Sequence, residues 1–286
     1  MIRLCLLILG LGLSSNTAAL AAERTIAVVS AHLGDFAQRL GGDGVEVYFP
    51  VTGDRDPALW RPSVAEIGAI QSADLILLNG AEFARWTKRT SLPRARVVDT
   101  GRSLADRFIV TQGAITHSHG GDEAHSHDGI APQLWLDFAQ AQTQAEAVAA
   151  SLSQRLGLDI TAAAQGLSQD LAALDARAKA VVAGADMVLG AGPGFEYFLR
   201  AYAQRSATVA DVAGMEAALA DLTEEARASA TVLLLTTSQS SNAKALINRA
   251  MGVREVVFDF GSAAGDAGFV ARMNANLDRI EAALAR

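Results

Sequence analysis

The chain has 286 residues, half of them hydrophobic, and a formal net charge of −7. That is enough apolar material for a substantial core, in one large domain or two lobes. The acidic balance and the lack of any Lys/Arg run exclude nucleic acid and anionic lipid as natural partners, and a single cysteine excludes a disulfide framework.

The first residues read as an export signal. Met1, Ile2 and Arg3 form a short positive start, Leu4 to Leu13 an apolar stretch too short to span a bilayer, and Ala19-Leu20-Ala21 a cleavage site. Cleavage there makes residues 1–21 a signal peptide and sends the mature chain, from Ala22, to the periplasm. Cys5 leaves with the signal, so a metal in the mature chain must be held by His, Asp, Glu or neutral oxygen donors. No later segment approaches ~18 uninterrupted apolar residues, and the mature chain is not expected to embed in a membrane.

Thr25 to Ser30 is a short apolar run that predicts a buried strand. Asp35 to Leu40 follows a helical pattern closed by Gly41-Gly42. Val45 to Phe49 reads as a second strand, Ser63 to Ser72 as a helix behind Pro62, Asp74 to Leu78 as a third strand and Val97-Val98 as a short fourth. From Phe138 to about Ala183 the chain is Ala-rich, with apolar residues at three- and four-residue steps and an interruption around Leu156-Gly157-Leu158. This predicts a helix, a break and a second long helix. The alternation returns with Asp186 to Leu189, a helix from Phe195, the run Thr231 to Leu235, a helix from Asn242, the run Glu255 to Phe260 and a last helix from Ala267.

Strands alternating with helices predict an α/β fold with mainly parallel sheets. The plain division is an N-terminal α/β lobe over residues 22–137, a helical connection over 138–185 and a C-terminal α/β lobe over 186–286. A surface helical hairpin within one domain is the alternative for Phe138 to Ala183. A cleft between lobes is the usual place for a ligand.

Four of the five histidines crowd into one segment: His117, His119, His125 and His127, in a His-rich loop over residues 116–128. Neutral imidazole is the commonest nitrogen ligand for zinc, copper and nickel. Two His-x-His pairs lie beside Asp122, Glu123 and Asp128, and Gly120-Gly121 lets the backbone fold back between them. A solvated loop without a fixed partner is the alternative, and the density of histidines favours metal contact over it. Ordering such a loop draws on the binding energy.

Two further residues are candidate donors. His32 follows the first strand at the sheet's C-terminal edge, which faces the ligand crevice in open α/β sheets; a helix-start residue making a local hydrogen bond is an equal alternative. Asp259 ends a strand, either as a ligand or as the cap of the turn at Gly261. Asp137 reads as the cap of the helix from Phe138, and Glu196 is a weaker candidate. Trp60 and Trp135 either line the cleft or pack near a lobe boundary, the commoner role of aromatics there. The chain has no HExxH, no G-x-S-x-G and no P-loop, so no enzyme is indicated.

Several segments fall in a telling order: Leu40 to Val47 (LGGDGVEV), Gly53 to Pro62 (GDRDPALWRP), Ser72 to Gly80 (SADLILLNG), the His-rich loop, Gln133 to Asp137 (QLWLD), Gly194 to Phe198 (GFEYF) and Phe258 to Gly261 (FDFG). In this order the mature chain resembles the metal-specific periplasmic solute-binding proteins of ABC transporters, the zinc- and manganese-uptake group. The resemblance implies two α/β lobes bridged by one rigid helix, with the metal between the lobes. It also implies three ligand histidines that this chain lacks. Their positions hold Ala58, Gln133 and Gly192, and only the acidic position, Asp259, keeps a usable donor.

Three explanations follow, in order of preference. The loop histidines fold into the cleft to meet Asp259 and His32; or the loop captures metal alone and hands it on; or the cleft recognises another ligand. The chain thus reads as a monomeric periplasmic receptor of an ABC importer that passes a divalent metal ion to a membrane permease. Zinc is the expected cargo, copper and nickel are acceptable on raw affinity, manganese is disfavoured, and no organic cofactor is implied. The alternative is a zinc sink, a metallochaperone, or a receptor for a small organic ligand or metal chelate.

Overall fold

Apolar runs without polar alternation make strands that must be covered on both faces, and this chain has two sets of them. The computed structural model describes residues 24–53, 55–117, 125–209, 212–220, 230–237, 253–261 and 267–286. The export signal, His119 and the helix expected from Asn242 lie outside the described residues.

The first sheet holds β1 (Arg24–Val28), β2 (Val45–Tyr48), β3 (Leu75–Leu78) and β4 (Val97–Asp99), all parallel, in the order β2-β1-β3-β4. The second holds β7 (Met187–Ala191), β8 (Ser206–Val209), β9 (Val232–Thr236) and β10 (Val253–Val257), also all parallel, in the order β10-β9-β7-β8. Counted by chain order within each set, the two sheets have the same strand arrangement. Between them in sequence lies an antiparallel hairpin, β5 (Val110–His117) and β6 (His125–Ile130).

Among the described residues the α-helices are α1 (Ala31–Gly41), α2 (Val64–Ser72), α3 (Phe138–Leu156), α4 (Thr161–Val182), α5 (Glu196–Tyr202), α6 (Val212–Ala220) and α7 (Gly268–Leu284). Their ends follow local chemistry. Ser63 and Glu66 form a reciprocal capping box at α2. Asp137 accepts from the backbone N–H groups of Ala139 and Gln140 at the start of α3, and Gly157 ends that helix in the left-handed conformation, φ 69°.

Alternate residues of each strand enter different cores. Ile26, Val28, Leu75 and Leu77 of the first sheet join Val188, Leu233 and Leu235 of the second in one continuous cluster with α1, α3, α4 and α7. The opposite faces are covered separately, Ala27 and Ile76 by Trp60 and Ile70, and Met187, Leu189 and Leu234 by Val209 and Met215. The 22 residues of α4 span about 33 Å at 1.5 Å per residue. Its buried face, Leu167, Leu171, Leu174, Ala178 and Val182, keeps the helical step throughout and packs against α1, α3 and α7. This is the long helix that joins the two lobes. Among the described residues no helix is long and apolar enough to cross a membrane.

Polar contacts stitch the lobes together around this core. Tyr202 Oη accepts from Phe138 N at 2.7 Å and donates to Asp175 Oδ1 at 3.0 Å. Tyr197 Oη accepts from Ile109 N at 3.1 Å, and Arg200 Nη1 donates to the Arg107 carbonyl at 2.8 Å. An ion pair between Arg272 and Asp35 ties α7 to α1.

Candidate metal site on the hairpin and at the lobe seam

The His-rich segment is partly strand where a loop was expected. At its root Val110 pairs with Ile130 and Thr111 with Gly129; after a shift of register Ile115 pairs with His127, Thr116 with Ser126 and His117 with His125. The β-branched residues Val110, Thr111, Ile115 and Thr116 favour extended backbone on the outgoing strand. Directly opposed residues of an antiparallel pair share a face, and so do residues two apart on one strand. The backbone register therefore assigns His117, His125 and His127 to one face of the ribbon.

His32 sits elsewhere. Helix α1 begins at Ala31, four residues before the expected Asp35, and so takes in His32. The residue is 1% exposed. Its ring stacks on Trp135 with centroids 4.3 Å apart and meets the edge of Phe36 at 5.7 Å. Burial pulls its pKa down to about 3, with the Gln144 amide opposing and the Arg272 guanidinium reinforcing the shift. Gln144 lies close enough to favour the protonated ring, yet His32 Nε2 and Gln144 Oε1 both lack a partner of hydrogen-bonding geometry. Burial favours the neutral imidazole, which keeps one ring N–H and one lone pair, and the lobe seam closes over it. The Gln144 Nε2 donates to Asn79 O and Oδ1 and to Thr100 Oγ1, between 3.0 and 3.2 Å.

Asp259 is exposed just beyond β10. Its Oδ1 accepts from Gly261 N at 2.8 Å, the turn cap expected of a strand-end carboxylate. Its backbone is clamped by Asn276, which accepts from Asp259 N at 2.9 Å and donates to Asp259 O at 2.8 Å. Next along the chain, the Phe260 carbonyl accepts the indole N–H of Trp135 at 2.9 Å.

The three positions without histidine are also placed. Ala58 is partly buried against the main core, its N–H bound to Asp56 Oδ1 at 2.8 Å. Gln133 opens the short turn Leu134–Leu136, and its Oε1 is buried without a partner. Gly192 adopts φ 89°, and a Cβ there would meet nothing within 4 Å. Gly194, at φ 112°, is different: a Cβ would lie 2.5 Å from the Phe260 ring and 3.6 Å from the Gln133 amide carbon. Glu196 is occupied locally, accepting from Gly194 N at 2.8 Å. Among the described side chains, which leave out residues 112–128 of the hairpin, no group of three or more His, Asp or Glu gathers as a ligand set.

Sequence reasoning missed Asn276, Gln144 and Arg272. The first two had a signal: each is a polar residue on an otherwise apolar helical stripe, Asn276 among Met273, Leu277 and Ile280, and Gln144 among Ala141, Ala145 and Val148. A fully buried amide in such a stripe must be holding something.

Two parallel sheets of one strand order, a single long helix behind both and a seam between their C-terminal edges define a two-lobed solute-binding fold. Solved structures of this fold are similar over nearly the whole chain. The metal-dependent lipoprotein YcdH from Bacillus subtilis superposes with a TM-score of 0.70 at 17% identity, covering 91% of this chain and 99% of its own. The periplasmic zinc binding protein TroA from Treponema pallidum gives 0.67 at 21% identity, covering 92% and 100%. The solute-binding protein FpvC from Pseudomonas aeruginosa, in complex with Mn2+, gives 0.68 at 17% identity, covering 92% and 99%. The sequence itself matches, over residues 26–283, the family described as "ZnuA: Zinc-uptake complex component A periplasmic", and the chain belongs to that family.

Proposed function

We propose that this protein is the exported metal receptor of an ABC importer, with zinc as its cargo, and that the imidazoles of the hairpin are the primary ligands. The observation that carries this is the register of β5 and β6, which sets His117 directly opposite His125 with His127 on the same face. Opposed residues have Cβ atoms about 4.5–5.5 Å apart, close enough for two imidazole rings to reach one ion with Zn–N bonds of about 2.0–2.1 Å. Three neutral imidazoles from the ribbon, or four with His119, make a nitrogen-rich, sulfur-free site that suits zinc and also accepts copper or nickel. Asp259, whose Oδ1 alone is used by the turn, adds a carboxylate oxygen when the hairpin folds toward the seam. His32 contributes only if the seam around it opens. Membership of a zinc-uptake family supports the transport role, delivery to a membrane permease, and action as a binding component without catalysis.

A second reading rests on the cleft itself. Ala58, Gln133 and Gly192 offer no imidazole where relatives of this pattern place one, and space is open at Gly192. This favours a zinc sink, a metallochaperone, or a receptor for a metal chelate or small organic ligand. Zinc titration at pH 7.5 and pH 5.5 tests the first reading. Imidazole ligands protonate near ~6.5, so binding must weaken on acidification; equal affinities at both values would rule the histidines out. Native mass spectrometry that found an organic passenger would favour the second.

A further inference from the structure

Two segments leave the first sheet at the same edge, one after β2 (residues 49–63) and one after β3 (residues 79–89); the strands are parallel, and β1 alone lies between them. The segments meet through Trp60 and Trp86, whose rings stand edge to face at 6.0 Å and 89°. Around this contact the surface is both apolar and cationic. Leu59 and Val64 are 75% and 88% exposed, two of the four large apolar side chains that the described residues expose. Arg61, Arg85 and Arg89 are exposed as well, and among the described residues none of the three makes an ion pair. The described carboxylates in and beside these segments are engaged locally. Asp56 Oδ1 accepts from Ala58 N, Glu66 accepts from Ser63 N in the α2 cap, and Glu82 pairs with Lys88.

The shape of the second segment is preset. Gly80, Ala81 and Glu82 have φ of 82°, 47° and 57°, three left-handed residues in succession, of which only the first is glycine. Other L-residues enter this region at a cost, and they stay there only where the surroundings enforce it. Here Ala81 is buried, Phe83 N donates to Gly80 O, and the Glu82–Lys88 pair ties the turn to the short helical stretch Arg85–Arg89. A surface fixed in this way loses little freedom on association.

We propose that this face of the N-terminal lobe, centred on Leu59, Arg61, Val64 and Arg85, is the docking surface for the importer's membrane permease, and that the permease presents carboxylates around a small apolar contact to it. The proposal rests on the transport reading above, and not on which residues hold the ion. Charge chooses the partner: in a chain of net charge −7, guanidinium groups left without carboxylates of their own are complementary to an acidic surface. A second copy of the chain fits poorly, because an isologous contact would set Arg61 and Arg85 against their own like charges. Position agrees. The face lies at the C-terminal edge of the first sheet, which borders the lobe seam, and a receptor that passes on an ion must dock where its lobes part.

Zinc uptake by the native host, with its own receptor gene deleted and the full chain supplied in its place, reads docking. Zinc retained by the purified protein in equilibrium dialysis reads binding. Arg61→Glu combined with Arg85→Glu lowers uptake about tenfold or more and leaves zinc retention and the urea midpoint unchanged. Arg94→Glu combined with Arg286→Glu makes the same change in net charge away from this face, before β4 and at the C-terminus, and leaves uptake as it was. Full uptake with the first pair, or equal losses with both pairs, overturns the proposal. If the first pair disturbs folding, Arg61→Gln with Arg85→Gln takes its place and must still lower uptake. An unmodified chain that binds zinc but restores no uptake removes the transport reading, and the proposal with it. Cosedimentation of the unmodified protein with phosphatidylglycerol vesicles, lost on Arg61→Glu with Arg85→Glu, would assign the face to the membrane and overturn the proposal; so would a solution dimer lost with the same pair.

Discussion

The imidazole of His32 lies nearly flat on the indole of Trp135, 4.3 Å between centroids and 26° between planes, in the seam between the two lobes. The pair joins the first turn of α1 to the turn that follows the hairpin, and Trp135 carries the link on to Phe260. This contact makes His32 a buried neutral base, with a consequence for stability. Its folded pKa, about 3, is below the ordinary value near ~6.5. The unfolded chain therefore binds more protons between these values, and stability falls as pH falls through that window. The slope from this one group approaches about 1.4 kcal/mol per pH unit. Urea denaturation at pH 7, 6 and 5 should show it, and His32→Phe should flatten it.

Gly194 is held at φ 112° with the Phe260 ring against its α-carbon. Gly194→Ala meets both backbone strain and a ring that Phe195 already backs at 4.8 Å. Destabilisation of about 2–4 kcal/mol is expected, read as a lower urea midpoint. Gly192→Ala has the strain without the clash, since nothing lies within 4 Å of its Cβ, and should be milder, about 1 kcal/mol.

Asn276 is fully buried and closes both sides of the Asp259 peptide. Asn276→Leu keeps the volume and strands an N–H and a carbonyl. A loss of about 1–3 kcal/mol per stranded group bounds the effect, and the Asp259 turn should exchange its amide hydrogens faster.

The Arg272–Asp35 pair joins α7 to α1 with side chains only 10% and 20% exposed. Burial raises the Asp35 pKa, and Arg272 pulls it back. Removing one partner leaves the other charge poorly solvated, which costs more than the pair contributes. Asp35→Asn should therefore destabilise the protein by about 2–4 kcal/mol, whereas replacing both residues by apolar ones of similar volume should cost less.

Much of this architecture is legible in the sequence because buried parallel strands declare themselves. The runs at Ile26, Leu75, Val188 and Leu233 are apolar on both faces, and the Leu156-Gly157-Leu158 break falls where Gly157 ends α3. The start of α1 was not legible, since His32 and Gly34 are poor helix formers that tertiary burial keeps in place. Nor was β8, whose edge position lets it begin with the polar Ser206. The hairpin was hidden by its Gly, Ser and Asp content, which reads as loop. For the candidate site, sequence named candidate donors, and of the two readings of Asp259 the turn cap at Gly261 is present. It did not reveal that His32 is interior, because a sheet-edge residue and a core residue look alike until the partner lobe is present.

The most direct measurement is metal content after equilibrium dialysis at neutral pH against zinc, with the unmodified protein beside a variant in which His117, His119, His125 and His127 are all replaced by Ala. The unmodified protein should retain stoichiometric zinc and the variant should lose tight binding. Micromolar or better zinc binding by the variant, or an unmodified protein that stays metal-free against zinc, copper and nickel alike, would contradict the assignment of the hairpin imidazoles as the cargo ligands.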